Sequence, residues 1–440
     1  MGAFESRRDR SRDPPVRASR MRLTGLLLLA FLPLTATRSG ADSCAAWNPL
    51  STRCPLAEDP AEAVSLALEK DVSGQHLASR SIHKALARNA KRYATGRGTL
   101  TEYTEGLAKG SVGSTFGVYL PSTFGSVLGV QAGGDPATAP RPLFMHFSGP
   151  TGVGKSLSAD IIAGAVLAGD ASDQNGLCGK LLLQMRAYAS RSAKDIEAHT
   201  KAIRGMVAEQ LFYCPRSVLI FDEIQTVAEE LLDAVIGMFD GTKGGALAHH
   251  PPASSILPSA YPIAVNTSQC IVIAISDIGS TKLTADMDRE EATGVVQEAA
   301  DRRFMRSTKR ELLQNVVPFL PLSTEELASV ATMQLRAFGR TLEAEYRGVW
   351  VGKLTWGKEV PGWLAEECIS DETCYADGGR GVRTKIELEV QELASDVLMP
   401  ELLKTELNYN NLHIELAEGG DALTASIDTV YDDATEFREL

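Results

Sequence analysis

The chain carries no excess of positive charge. Its 440 residues hold 44 Lys and Arg against 56 Asp and Glu, a net charge of −12. Positions 1–41 contain eight Arg and three acids, which leaves −17 on the remainder. An acidic body argues against nucleic acid as a partner. No apolar stretch is long enough to cross a bilayer as an ordinary helix. His is scarce, at 7, and does not join the 7 Cys at metal-ligand spacing, so no zinc-type site is expected. No internal repeat is present, which excludes solenoids and propellers. The 44% hydrophobic content and mixed charge are those of a globular protein, and the length allows roughly two to three domains.

Against these absences stands one dense motif. The run from Phe144 to Ser156, FMHFSGPTGVGKS, ends in Gly149-x-x-x-x-Gly154-Lys155-Ser156. Leu143–Phe147 reads as a buried strand and Leu157–Ala168 as a helix, the context a phosphate-binding P-loop requires. The loop Gly149, Pro150, Thr151, Gly152, Val153 and Gly154 would turn its N–H groups onto a phosphate, with the helix N-terminus adding partial positive charge. Lys155 would reach the β- and γ-phosphates and Ser156 would ligate Mg²⁺. A glycine turn with a chance lysine is the bland alternative. Further on, the apolar strand Ser217–Phe221 runs into Asp222-Glu223. A strand ending in a solvated acidic turn is common; beside a P-loop it reads as a Walker B pair. Asp222 would hold Mg²⁺ through water and Glu223 would polarise the attacking water. Together they point to hydrolysis of a nucleoside triphosphate with Mg²⁺ rather than to phosphate binding alone; ATP is the nucleotide that the resemblance described below implies.

The N-terminus reads as a targeting segment. Arg17, Arg20 and Arg22 precede the apolar run Leu23–Ala36 and the small residues Ser39-Gly40-Ala41, the plan of a secretory signal peptide over 1–41. Cleavage after Ala36 or Ala41 fits, and Met21 is an alternative start. A transit peptide or a retained anchor are the other readings. In an oxidising compartment Cys44/Cys54 and Cys368/Cys374 are close enough in sequence to pair. Cys178, Cys214 and Cys270 are expected as free buried thiols. Asn266-Thr267-Ser268 is a glycosylation sequon, usable only in a secretory compartment.

Residues 42–60 form a Cys/Pro-rich lead-in, and Ala61 to about Tyr93 carries a helical pattern with Val64, Leu66, Leu68, Leu77, Ile82, Ala85 and Leu86 as its apolar positions. A Gly/Ser-rich insertion occupies 94–142, with a short strand at Phe116–Leu120. The α/β core runs from Leu143 to about Leu320 and contains an exposed loop at Gly241–Pro262. Helices are expected at Thr324–Phe338, behind a capping box of Ser323 and Glu326, and at Val382–Leu398. Leu412–Leu416 and Leu423–Ile427 suggest a hairpin before an acidic tail at 431–440.

Several stretches together resemble AAA+ ATPases of the Clp/torsin branch, over about Ala61 to Leu398. Gly74-Gln75-His76-Leu77-Ala78, after Val72, is similar to the torsin GQHLA segment, and Val317–Leu322 to the torsin VPFLPL signature. Cys270–Gly279 resembles a sensor-1 strand, and Gly378–Arg383 a sensor-2 motif opening a lid helix. The resemblance implies an α/β fold: a P-loop NTPase core with a parallel sheet over 61–320, followed by a mainly helical lid over 321–430. It implies that the backbone near Val72, Gly74 and Gln75 encloses adenine, and that Asp277 and Arg380 act as sensors beside Glu223.

The resemblance also implies function and partners. These are protein substrates, a homo-oligomer or an alternating ring with a membrane-anchored activator, no nucleic acid, and peripheral association with a membrane. The location implied is the endoplasmic reticulum lumen or nuclear envelope. Departures are informative. Ser276-Asp277 stands where torsins carry Asn, placing a negative charge near the γ-phosphate. Arg380 replaces the torsin Lys. The interval Tyr188–Asp195 lacks the aromatic-glycine pore loop of Clp unfoldases. The Clp arginine-finger position is Leu312; Arg310 matches a basic torsin residue, while Arg302, Arg303 and Arg306 read as a solvated helix face. An organellar Clp-type unfolding chaperone and a nucleotide-switched scaffold with little hydrolysis are the rival readings.

Overall fold

The computed structural model describes residues 56–94, 141–167, 179–239, 247–249, 263–265, 267–304, 311–347, 350–402 and 410–429. Outside them lie the N-terminal segment, Cys44, Cys54, Cys178, the strand at 116–120, Asn266, Arg306, Arg310, the acidic tail and most of the stretches 94–142 and 241–262.

The helical pattern from Ala61 divides in two. Helix α1 (Pro60–Asp71) starts at Asp59, whose carboxylate accepts from the Ala61 and Glu62 N–H groups, both at 3.1 Å, with Pro60 at the first helical position. Val72 is extended and Gly74 takes φ +76°, a left-handed backbone that ends a helix. Helix α2 (His76–Ala94) then restarts. The cause of the break lies far along the chain. Gln75 Nε2 donates to the Leu320 carbonyl at 3.0 Å, and the Leu320 N–H donates back to Gln75 Oε1 at 3.2 Å. Leu66 leaves the expected apolar face and is exposed, whereas Val64 and Leu68 are buried.

Strands β1 (Leu143–Ser148), β2 (Lys180–Gln184), β3 (Val218–Asp222), β6 (Ile271–Ser276) and β7 (Val316–Pro318) make one parallel sheet in the order β2-β3-β6-β1-β7. β1, β3 and β6 are buried along their whole length, as strands covered on both faces must be. Side chains alternate between the two layers. Met145 and Phe147 join α1, α2 and helix α3 (Lys155–Val166). Phe144 faces helices α4 (Ala193–Tyr213), α5 (Glu229–Gly237) and α6 (Arg289–Arg303). The Gly241–Pro262 stretch is not all exposed loop: β4 (Ala248–His249) pairs with β5 (Ile263–Ala264), Leu247 and His249 are buried, and His249 stacks on Phe212 with ring centroids 4.6 Å apart.

Past β7 the chain becomes mainly helical: α7 (Thr324–Glu345), α8 (Val360–Ser370), α9 (Glu372–Asp377) and α10 (Gly379–Leu402). The Ser323 capping box forms, with the Ser323 N–H donating to Glu326 Oε2 at 2.8 Å and the Glu326 N–H to Ser323 Oγ at 3.4 Å. The hairpin of β9 (Asn410–Leu416) and β10 (Leu423–Thr429) is present, but β8 (Leu354–Trp356) adds to it in parallel, making three strands. Cys368 and Cys374 form a disulfide between α8 and α9. Cys214 is also disulfide-bonded, contrary to the expected free thiol. Burial alone does not keep a thiol unpaired. Cys270 is free and buried, and burial pushes its thiol pKa up.

His146 lies fully buried in β1, with its Nε2 2.8 Å from Ser276 Oγ. Burial lowers its pKa from 6.5 to about 4. The native imidazole therefore stays neutral while the unfolded chain takes up a proton below pH 6.5. Stability from this group is complete above that pH and is lost as pH falls to about 4, by about 3 kcal/mol. Urea denaturation from pH 7 to 4 is expected to show this loss, and His146→Leu to flatten the profile in that window. An unchanged profile in the variant would contradict it.

Candidate functional site

The carboxyl ends of β1, β3 and β6 converge on one cleft, where parallel α/β sheets bind ligands. Its volume is about 380 Å³, and its walls include Val72, Thr151–Leu157, Asp222, Glu223, Asp277 and Arg380. The loop after β1 is shaped by its glycines. Gly152 and Gly154 have φ +73° and +96°. A Cβ on Gly149 would lie 2.2 Å from the Phe319 carbonyl oxygen, and one on Gly152 would lie 1.7 Å from that of Asp377. Lys155 Nζ donates to the carbonyls of Gly149, at 2.6 Å, and Pro150. Val153 is buried in the core.

Asp222 ends β3 and is buried. Its Oδ2 accepts from Ser156 Oγ at 3.2 Å and Gln184 Nε2 at 3.3 Å. This pair of oxygen donors fits a hard cation such as Mg²⁺, which takes few protein ligands and keeps waters or phosphate oxygens. Among the described residues no group of three or more His, Cys, Asp and Glu is placed to hold a metal.

Glu223 takes φ +62°, the one non-glycine with positive φ among the described residues. Such backbone costs about 1–3 kcal/mol and is concentrated at functional sites. The turn is held by the Thr226 N–H and Oγ1, which both donate to the Glu223 carbonyl, at 3.1 and 2.7 Å. The Glu223 carboxylate accepts from Gln225 Nε2 at 3.1 Å and pairs with Arg186 at 3.5 Å.

The helical part closes the cleft. The Gly379 N–H donates to the Gly152 carbonyl at 3.1 Å, so α10 begins on the loop that follows β1. Arg380, one residue on, lines the cleft with Arg383. Asp71, Val72, Ser73, Leu322, Val330, Met333 and Gln334 also line the cleft. Gly74, Gln75, Gly149 and Pro150 do not line the space. The Gln75 amide is spent on Leu320, and Gly74 backs onto Glu326.

No family model matches the chain. It is 25% identical to the chaperone protein ClpB of Chlamydia pneumoniae over 311 residues, 67% of this chain and 32% of that protein. Over 272 residues it is 24% identical to a torsin-like protein of Caenorhabditis elegans, covering 58% of this chain and 68% of that one. The chain is thus similar to AAA+ proteins of both the Clp and the torsin kind. A chain in a closed-state reconstruction of Hsp104 with ATPγS and FITC casein covers 70% of it at 18% identity, with a TM-score of 0.46 and 47% of that chain matched. The chain spans about a third of the length of the ClpB protein it matches.

The sequence motifs did not single out Arg186, Gln184, Gln225, Met333 or Gln334. The first two sit at the carboxyl end of β2, so an extended search of the strand ends would have reached them. The others depend on tertiary packing. The arginines of α6 do not form one solvated face. Arg302 pairs with Glu298, but Arg303 donates to the carbonyls of Gln225 and Val227 at 3.3 and 3.2 Å, bracing the loop after Glu223.

Burial lowers the Lys155 pKa from 10.5 to about 8, an effect opposed by Asp277, Asp222 and Glu223 and reinforced by Arg380. A polyphosphate entering the cleft would favour the charged ammonium and raise that pKa. Affinity for a nucleoside triphosphate is therefore expected to be full below about pH 8 and to fall as pH rises above it. Titration calorimetry from pH 7 to 9.5 checks this, with Lys155→Met abolishing tight binding. A flat affinity across that range would contradict the assignment.

Proposed function

We propose that this chain is a torsin-like AAA+ ATPase of the endoplasmic reticulum lumen or nuclear envelope, which uses ATP with Mg²⁺ to assemble or remodel proteins. The observation that carries the reading is the meeting of Lys155, Ser156, Asp222, Glu223 and Arg380 in one cleft spanned by the Gly379–Gly152 hydrogen bond. Ser156 and Asp222 would hold Mg²⁺, which when bound neutralises charge on the β- and γ-phosphate oxygens. Lys155 and Arg380 would supply positive charge from the loop and the lid. Glu223 would accept the proton of the attacking water, and Asp277 would hydrogen-bond that water. Val72, Val330 and Met333 would offer an apolar wall for a purine.

A dependence on an activator is part of this proposal. Leu312, at the position of a Clp arginine finger, is buried in the core. Arg302 and Arg303 are committed to Glu298 and to backbone carbonyls. A finger supplied by a membrane-anchored partner would add roughly 10³–10⁵ in rate by the GTPase analogy. The region that would carry a threading loop supports remodelling without threading. Tyr188 packs edge-on against His199 with centroids 5.3 Å apart, and Ser190 Oγ donates to Asp195 at 2.9 Å. The Cys368–Cys374 disulfide and the bonded Cys214 accord with an oxidising compartment, as does the N-terminal segment.

One observation favours the scaffold reading as a second possibility: Arg186 and Gln225 already engage the Glu223 carboxylate. ATP turnover by the purified protein, alone and with microsomal membranes, separates the two, with Glu223→Gln as the blank. Turnover that emerges only with membranes, and a Glu223→Gln protein that retains ATP and its partners, is the expected result. Strong turnover by the protein alone would refute the need for an activator. ATP binding without turnover in either condition would favour the scaffold.

A further inference from the structure

β1 and β6 carry three buried polar side chains where strands covered on both faces are otherwise apolar: His146, Ser148 and Ser276. They converge on one turn. His146 Nε2 lies 2.8 Å from Ser276 Oγ, and that oxygen accepts the Ile278 N–H at 3.3 Å. Ser148 Oγ donates to the Ile278 carbonyl. The Ser280 N–H donates to the Asp277 carbonyl at 3.0 Å, with Gly279 at φ +82° completing the turn. Ile278 is thus held through both of its backbone polar groups by side chains of the sheet.

The residue between Ser276 and Ile278 is Asp277. Its carboxylate lines the cleft and interacts electrostatically with Lys155, but makes no hydrogen bond to the described residues. Only the backbone of its turn fixes where it points. His146 does not reach the cleft, and its Nδ1 is buried without a partner. A buried polar atom left unpaired costs about 1–3 kcal/mol, so packing alone favours an apolar side chain at this position.

We propose that His146 is a positioning residue for Asp277. By holding Ser276, it keeps the Ile278 amide, and so the whole turn, aimed at the end of the cleft where a terminal phosphate would sit. Ser148 does the same from β1, the strand that leads directly into the phosphate loop at Gly149. The two chemical elements, loop and turn, are thereby fixed to one strand. This inference rests on the nucleotide reading above, and the part of the ligand it concerns is the γ-phosphate, the group that distinguishes ATP from ADP.

The test is a double-mutant cycle on affinity. Titration calorimetry with Mg²⁺ would give Kd for ATP and ADP in four proteins: Glu223→Gln, which does not consume the ATP, and that protein with His146→Leu, Asp277→Ala or both. His146→Leu should shift the ATP-to-ADP affinity ratio by roughly threefold or more, in the same direction as Asp277→Ala. The double substitution should add nothing beyond Asp277→Ala, because contacting residues in one network couple. His146→Gln, which keeps a polar group facing Ser276, should restore the ratio. Should His146→Leu fail to fold, Ser276→Ala removes the same link and carries the cycle. An unchanged ratio, or effects that add independently, overturns the proposal and leaves the nucleotide reading standing. No binding of either nucleotide overturns both.

Discussion

The cleft depends on a backbone-to-backbone approach between two distant segments. The Gly152 carbonyl of the glycine-rich loop after β1 accepts from the Gly379 N–H at the start of α10, and the space a Gly152 side chain would need is filled by the Asp377 carbonyl. Gly378, at φ +54°, turns the chain between them. No side chain can be inserted there without parting loop and lid, so both segments carry glycine. Arg380 follows directly and lines the same cleft as Lys155. The helical part is also joined to the core by packing: one apolar cluster runs from α1 through β1 to α7, α10 and β9.

Around this junction the charges are arranged in opposition. Lys155 and Arg380 face Asp222, Glu223 and Asp277 across a space partly shielded from water. A nucleoside triphosphate with its metal would add charge of both signs and could satisfy both sets. The same residues also pair with one another. Lys155 turns back onto its own loop carbonyls, Ser156 donates to Asp222, and Glu223 is taken up by Gln225 and Arg186. The exposed Arg186–Glu223 pair is worth about 0–1 kcal/mol, so displacing it requires little energy.

The parts of this arrangement that could be read in the sequence are those encoded locally. The strand–loop–helix at Leu143–Val166, the strand ending at Asp222 and the capping box at Ser323 each need only neighbouring residues to form. The parts that could not be read are made across the chain. The break between α1 and α2 depends on Gln75 gripping Leu320. β8 is only Leu354–Trp356 and exists because β9 lies alongside it. Arg303 became a brace because the carbonyls of Gln225 and Val227 face it. The same holds for His146, whose spacing gives no hint that Ser276 stands two residues along the neighbouring strand from its own partner, Ala274. Resemblance brought Asp277 and Arg380 under consideration; periodicity alone does not single them out.

The most direct test of the account is a structure of the Glu223→Gln protein with ATP and Mg²⁺. The account predicts the β- and γ-phosphates within the Gly149–Ser156 loop, Lys155 turned from its loop carbonyls onto them, the metal at Ser156 with Asp222 behind it, Arg380 on the phosphates, and the Gly379–Gly152 hydrogen bond intact. A nucleotide bound elsewhere, or one held with α10 lifted from the loop and Arg380 away from the phosphates, would contradict it.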